Sequence, residues 1–157
     1  MHRILVNKVK VRFQDCDPFN HLNNSKYIDY FINAREDHLL ENYNLDIYTM
    51  ALKEGVSWVV ASNQISYLRP ALMMENVIIE SQVINYTTKS LQVELRMYNE
   101  DKSELKSVMW SKFVHFNMKT QRTHEHADRF MKLFKEAHMP VEETTFEARI
   151  KSMMKRA

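Results

Sequence analysis

Glycine is almost missing from this chain. Only Gly55 occurs among 157 residues. That scarcity excludes glycine-rich phosphate loops, because neither a Walker loop nor a dinucleotide fingerprint can be written without several glycines at fixed spacing. Cysteine is as scarce: the lone Cys16 rules out a disulfide framework within one chain, in keeping with a reducing compartment. No apolar run approaches the roughly 18 residues of a membrane helix. The opening MHRILVNKVKVRF alternates apolar with basic residues instead of building the continuous apolar centre of a signal peptide. A cytoplasmic protein without a membrane partner is expected. The formal net charge is only +2 and no long basic block occurs, so no nucleic-acid partner is expected either.

What is present suits one ordinary domain. Apolar residues make up 45% and aromatics 11% of the chain, enough to bury a core. The eleven methionines read as adaptable core filler. Residues 4–14 alternate apolar and polar, with Val9, Val11 and Phe13 on one face, as in a half-buried strand. Asp, Pro and Asn then cluster over residues 15–24, a loop. Residues 25–42 carry a broad apolar helical face that includes Tyr27, Phe31, Ala34 and Leu39, with Asn23, Asn24 or Ser25 as the cap and Asn42 and Asn44 as a stop. A short helical turn fits residues 45–54.

After Gly55 the period becomes two. Strands are expected over residues 56–68, 76–87, 90–99 and 104–117, and a second helix over residues 124–138. Residues 139–157 read as a polar tail, helical or partly disordered, outside a domain of residues 1–138. Consecutive strands with short links make an antiparallel sheet, and a segregated helix must cover one face, an α+β arrangement. The first helix is unusually apolar, which a sheet wrapped round it would explain. Open sheet edges make a homodimer or homotetramer the natural outcome.

Residues 12–31, RFQDCDPFNHLNNSKYIDYF, resemble the start of the hotdog-fold acyl-CoA thioesterases of the 4-hydroxybenzoyl-CoA thioesterase type. The matching elements are Asp15-x-Asp17, Asn20-His21, Asn23, Tyr27 and, beyond the aromatic run, Arg35. Weaker matches are Ile65-x-Tyr67-x-x-Pro70 and the strand from Trp110 to Phe116. Asn20 stands where the family has glycine, and asparagine tolerates a left-handed backbone better than other non-glycine residues. The resemblance implies a hotdog fold and hydrolysis of acyl-CoA thioesters to free acid and CoA. It implies no cofactor beyond the CoA of the substrate, and no metal.

The residues themselves point the same way. Attack on a thioester carbonyl builds negative charge on oxygen, and a helix N-terminus offers free N–H groups and the positive end of a dipole. The loop before Ser25 delivers Asp17 beside such an end, where a carboxylate can act as nucleophile or general base. The plainer reading of Asp17 is a turn residue capping its own backbone. His21 would orient substrate or water, or serve only the turn. Asn24 would offer its amide to the carbonyl, and Asn23 and Tyr27 would contact substrate. Asn23 could equally be a cap and Tyr27 a core aromatic. Arg69 and Lys89 are candidates for the CoA phosphates. A Cys16–His21 nucleophile lacks any sign of a stabilised thiolate. A metal on His115, His124 and His126 lacks carboxylate or cysteine partners. A non-catalytic acyl-CoA-binding module, an enoyl-CoA hydratase built on Asp17 and His21, and an acyl-carrier-protein thioesterase stay open.

Overall fold

The alternating stretches do become strands, and all of them join one sheet. The computed structural model describes residues 1–156. Its elements are β1 (Leu5–Lys10), α1 (Tyr27–Tyr43), α2 (Ile47–Glu54), β2 (Val56–Tyr67), β3 (Asn76–Tyr86), β4 (Ser90–Asn99), β5 (Leu105–Asn117), β6 (Arg122–Thr123), α3 (Asp128–Ala137) and α4 (Phe146–Arg156), with single 3-10 turns at Phe13–Asp15 and Asn24–Lys26. Among the described residues every pairing between these strands is antiparallel, and the order is β1-β3-β4-β5-β2, with β6 added to β5. β1 and β2 thus end up at opposite edges, and the helix between them in sequence, α1, lies across the sheet that separates them. This is the α+β hotdog arrangement.

Side chains on the inner face, Val77 and Ile79 of β3, Val93, Leu95 and Met97 of β4 and Met109 of β5, close round Tyr27, Tyr30, Phe31 and Ala34 of α1. α1 is therefore apolar on the side the sheet grips, and its exposed side is narrow. The helix ends where Asn44 turns left-handed (φ 51°) and its N–H bonds back to Leu39 and Leu40, a glycine-type stop made by asparagine. Asp46 caps α2 with its side chain, and Gly55 (φ 70°) ends it.

The outer face is different. The chain after Met139, read from sequence as a polar tail, runs over that face as α4. Its Phe146 and Met153 are buried against Ile84, Val108 and Trp110. Two sequence expectations are corrected here. Phe13 is not a core residue: β1 stops at Lys10, the 3-10 turn at Phe13–Asp15 breaks the alternation, and Phe13 is 74% exposed. The second long helix starts at Asp128, not His124. Residues 124 and 126 are held extended by backbone N–H bonds from His124 to His115 and from His126 to Thr88.

Candidate active site

The loop before α1 is folded on itself by Asp17. Its Oδ1 accepts the N–H groups of Phe19 (2.8 Å) and His21 (3.1 Å), and its own N–H donates to the His21 carbonyl. Pro18 follows, and Asn20 closes the turn with φ 62°, the left-handed position that a glycine would otherwise fill. The capping role uses one carboxylate oxygen only. Among the described residues no hydrogen bond reaches Oδ2.

The loop is pinned from below. Leu22 N–H bonds to the Ala71 carbonyl, Met73 N–H to Asn20, and His21 bridges to Leu72. The helical segment then starts at Asn24, under an Asn23 side chain that accepts from the Ser25 N–H and hydroxyl (3.0 and 2.9 Å). Tyr67, the last residue of β2, donates its hydroxyl to the Asn24 carbonyl (3.1 Å). Asp17, His21, Asn24, Tyr27, Tyr67 and Arg69 line one open cleft of about 210 Å³.

The sequence candidates therefore divide. Asp17, His21, Asn24, Tyr27 and Arg69 are brought together. Tyr27 forms the floor: it is buried, stands edge-on to Tyr67 at 5.0 Å, and its hydroxyl accepts the Ala71 N–H. Burial raises its phenol pKa. Arg69 is exposed at the rim, 3.6 Å from Glu104. Asn23 is spent on the cap and does not line the cleft. Lys89 is not brought to the cleft. It sits in the β3–β4 turn, where its carbonyl accepts from His115. Tyr67 pairs with Ser107, eight residues from His115 along β5, which puts Lys89 roughly 26 Å away within the chain.

Electrostatics sorts the remaining candidates. Burial first, then the charges of Asp15 and Asp17, raise the Cys16 thiol pKa, so the thiolate is disfavoured and a Cys–His pair has no driving force. Asp15 is engaged elsewhere, accepting the Tyr30 hydroxyl at 2.6 Å. Burial, reinforced by that bond, pushes Tyr30 up to about 12. His126 has both ring nitrogens occupied: Nε2 accepts from Trp58 (2.9 Å) and Nδ1 donates to the Thr87 carbonyl (3.0 Å). Among the described residues no cluster of His, Cys, Asp and Glu is arranged to hold a metal. Tyr67 and Arg35 were visible in sequence only as matches to a pattern. Nothing in the local spacing marks Tyr67 as the hydroxyl that fastens the helix start.

A family model described as the thioesterase-like superfamily matches residues 11–148, from the last residue before the cleft loop into α4. The chain belongs to the thioesterase-like superfamily. By class it is a thioester hydrolase. The long-chain acyl-CoA thioesterase FadM of Escherichia coli strain K12 is 28% identical over 115 residues, covering 73% of this chain and 85% of FadM. Among solved structures, SAV2348 from Staphylococcus aureus, determined in complex with CoA, superposes with a TM-score of 0.78 at 15% identity, covering 91% of this chain and 89% of that one. The 1,4-dihydroxy-2-naphthoyl-CoA thioesterase Slr0204 from Synechocystis gives 0.77 at 9% identity, over 85% and 96% of the two chains. At such identities these structures establish that the thioesterase shares their fold. No helix among the described residues is long and apolar enough to cross a membrane.

Proposed function

We propose that this thioesterase hydrolyses acyl-CoA thioesters in the cleft between the Asp17 loop and the end of β2. The observation that carries the reading is the split use of the Asp17 carboxylate. Oδ1 is fixed by two backbone N–H groups, which restrain the side chain, while Oδ2 carries no hydrogen bond among the described residues, and Asp17 shares the cleft with Asn24, where the helical segment starts. Ser25 N–H is held by Asn23 Oδ1 and Lys26 N–H by the Asn23 carbonyl, so it is the Asn24 N–H, without an acceptor among the described residues, that stabilises an oxyanion in this reading.

Water attacks the thioester carbon as Oδ2 takes its proton, and the carbonyl oxygen gains charge against the Asn24 amide. The C–S bond then breaks, and the proton returns to the CoA sulfur. Attack by Oδ2 itself, followed by hydrolysis of the mixed anhydride, uses the same atoms. A single turnover in labelled water separates the two, since only direct attack leaves label in Asp17. His21 positions the thioester or water, Tyr27 walls the site, and Arg69 meets a phosphate of CoA. All of this chemistry comes from groups of the chain, without a cofactor.

The active unit is a homodimer or homotetramer joined through β2. That edge strand has no neighbour on its outer side among the described residues, and Val59 and Val60 are 45% and 47% exposed on it, an edge that invites pairing. We place the enzyme in the cytoplasm, where CoA esters are made and used. The test is thiol release from a panel of acyl-CoA and acyl-carrier-protein thioesters. Asp17→Asn keeps the shape but removes the base, so kcat should fall by at least ~100-fold while binding persists. Near-normal turnover by that variant would refute the mechanism. Binding without thiol release across the panel would leave a binding module, and hydration of an enoyl-CoA with the thioester intact would leave a hydratase.

A further inference from the structure

A second cavity, of about 150 Å³, lies under the C-terminal half of α1, between that helix, the inner face of the sheet and α3. Its wall is apolar (Leu39, Val83, Val93, Phe113 and Phe134 among others) except at Arg35, Glu36 and Tyr43. Arg35 is the anomaly. It is 6% exposed, and among the described residues its guanidinium donates one hydrogen bond, from Nη1 to Ser81 Oγ (2.8 Å), and pairs with no carboxylate. A buried cation costs several kcal/mol unless acceptors surround it, and guanidinium carries five N–H donors. A buried donor set left open to a cavity wall is a place where a ligand oxygen is stabilised.

The cavity is also in line with the cleft. Asn24, Ile28, Ile32 and Glu36 follow one another at four-residue spacing along one side of the helix. Asn24 lines the cleft, Ile32 and Glu36 line the cavity, and Ile28 and Ile32 are half-buried between. From Tyr27 at the cleft floor to Arg35 the helix rises about 12 Å. An acyl chain with its thioester at Asp17 and its tail along this stripe brings its far end to Arg35.

Resting on the thioesterase reading above, we propose that this cavity selects acyl groups bearing a hydroxyl toward the far end of the chain, with Arg35 as the specificity-determining donor. Glu36 on the same wall decides against a carboxylate, which it would repel, and in favour of a hydroxyl, which accepts from Arg35 and donates to Glu36. Tyr48 occupies only Oε1 of Glu36, at 3.3 Å, leaving the other oxygen for that role.

Decanoyl-CoA, whose extended chain spans a distance of that order, and its ω-hydroxy and ω-carboxy counterparts decide the matter. Dissociation constants are read from Trp58 fluorescence, since Trp58 lines the cavity, in Asp17→Asn protein that binds without turnover. The ω-hydroxy ester should bind about tenfold tighter than decanoyl-CoA, the gain of one hydrogen bond to a charged group. The wild-type kcat/KM ratio should follow it, and Arg35→Met should erase the preference. The intact-cavity ratio decides even if Arg35→Met fails to fold. Equal or tighter binding of decanoyl-CoA overturns the proposal, as does tightest binding of the ω-carboxy ester. Thiol release at equal rates with equal affinities sinks this proposal and leaves the thioesterase reading standing. A tenfold affinity ratio without any thiol release sinks that reading and leaves this one.

Discussion

The two faces of one sheet treat charge in opposite ways. On the outer face, beneath α4, buried Arg96 is held by Glu80 (2.9 Å) and Glu94 (2.6 Å), and Glu94 also accepts from Trp110 (2.8 Å) and Arg149 (2.8 and 2.9 Å). Lys102 pairs with Glu80, and Arg149 reaches Glu143. Every buried charge there has opposite charge against it. On the inner face, Arg35 and His38 share a single Ser81 hydroxyl, and His38 finds Asn7 at 3.1 Å. Burial lowers Arg35 to about 10, so it stays cationic at neutral pH, and lowers His38 to about 4, with the Arg35 charge adding to the effect. The closed network fastens a helix to a sheet. The other faces a cavity, with Arg35 on its wall and no carboxylate paired to it among the described residues.

Three measurements break or sharpen this contrast. The largest effect is expected outside: Glu94→Ala takes from Arg96 and Arg149 the buried carboxylate they share, leaving Glu80 to the one and Glu143 to the other, and urea denaturation should report a loss of about 3–5 kcal/mol. A loss below about 1 kcal/mol would mean that α4 floats on the sheet.

Next comes pH. His38 and His115 are both held near 4 in the fold, His115 by burial and then by His126. The unfolded chain binds those protons from about pH 6.5 downward. Their contribution is therefore complete above about pH 6.5 and is lost as pH falls toward 4, by about 1–3 kcal/mol apiece. Glu80 and Glu94 are lowered despite burial, by bonds to Lys102 and Arg96 for the one and to Arg149 and Trp110 for the other. Their contribution is present above the ordinary carboxylate range and is lost as pH falls through it. Denaturation midpoints measured from pH 7 to 3 should thus decline in two stages, the inner face first. His38→Asn should flatten the first stage only.

The smallest effect is at Arg35. Arg35→Met gives up one hydrogen bond but also a desolvated charge, and its stability should lie within about 1 kcal/mol of wild type. A loss as large as that of Glu94→Ala would make Arg35 a structural residue of the same kind.

Much of this was legible from sequence where one local rule governs. Periods of 3.6 and 2 placed α1 and the long strands, the Asp-Pro-Asn cluster placed the cleft loop, and Asn20 was legible as a left-handed substitute for glycine. The failures share a cause, contacts distant in sequence. Phe13 continues an alternating pattern, and only the 3-10 turn removes it from the core. His126 sits at helical spacing, four residues before Phe130, but bonds to residues 88 and 115 keep His126 and His124 extended. Lys89 looked like any other strand-end cation until the register placed it at the far end of the sheet. The tail became α4 because the outer face offered Trp110, whose ring meets Phe146 edge-on at 5.6 Å. For the candidate site, the loop motif proposed Asp17, and only the hydrogen bonds separated its anchored oxygen from the one without a partner.

Tyr67 has a consequence for regulation. It is the final residue of the open edge strand, and the same side chain grips the first turn of the helix that opens the cleft. If copies of this chain pair through that edge, as proposed above, and the pairing shifts Tyr67, thermodynamic reciprocity requires that a ligand in the cleft act on the pairing to the same degree. Under that proposal, catalytic output per molecule depends on how crowded the molecules are: dilution should depress it, saturating substrate should restore assembly, and Tyr67→Phe should uncouple the two.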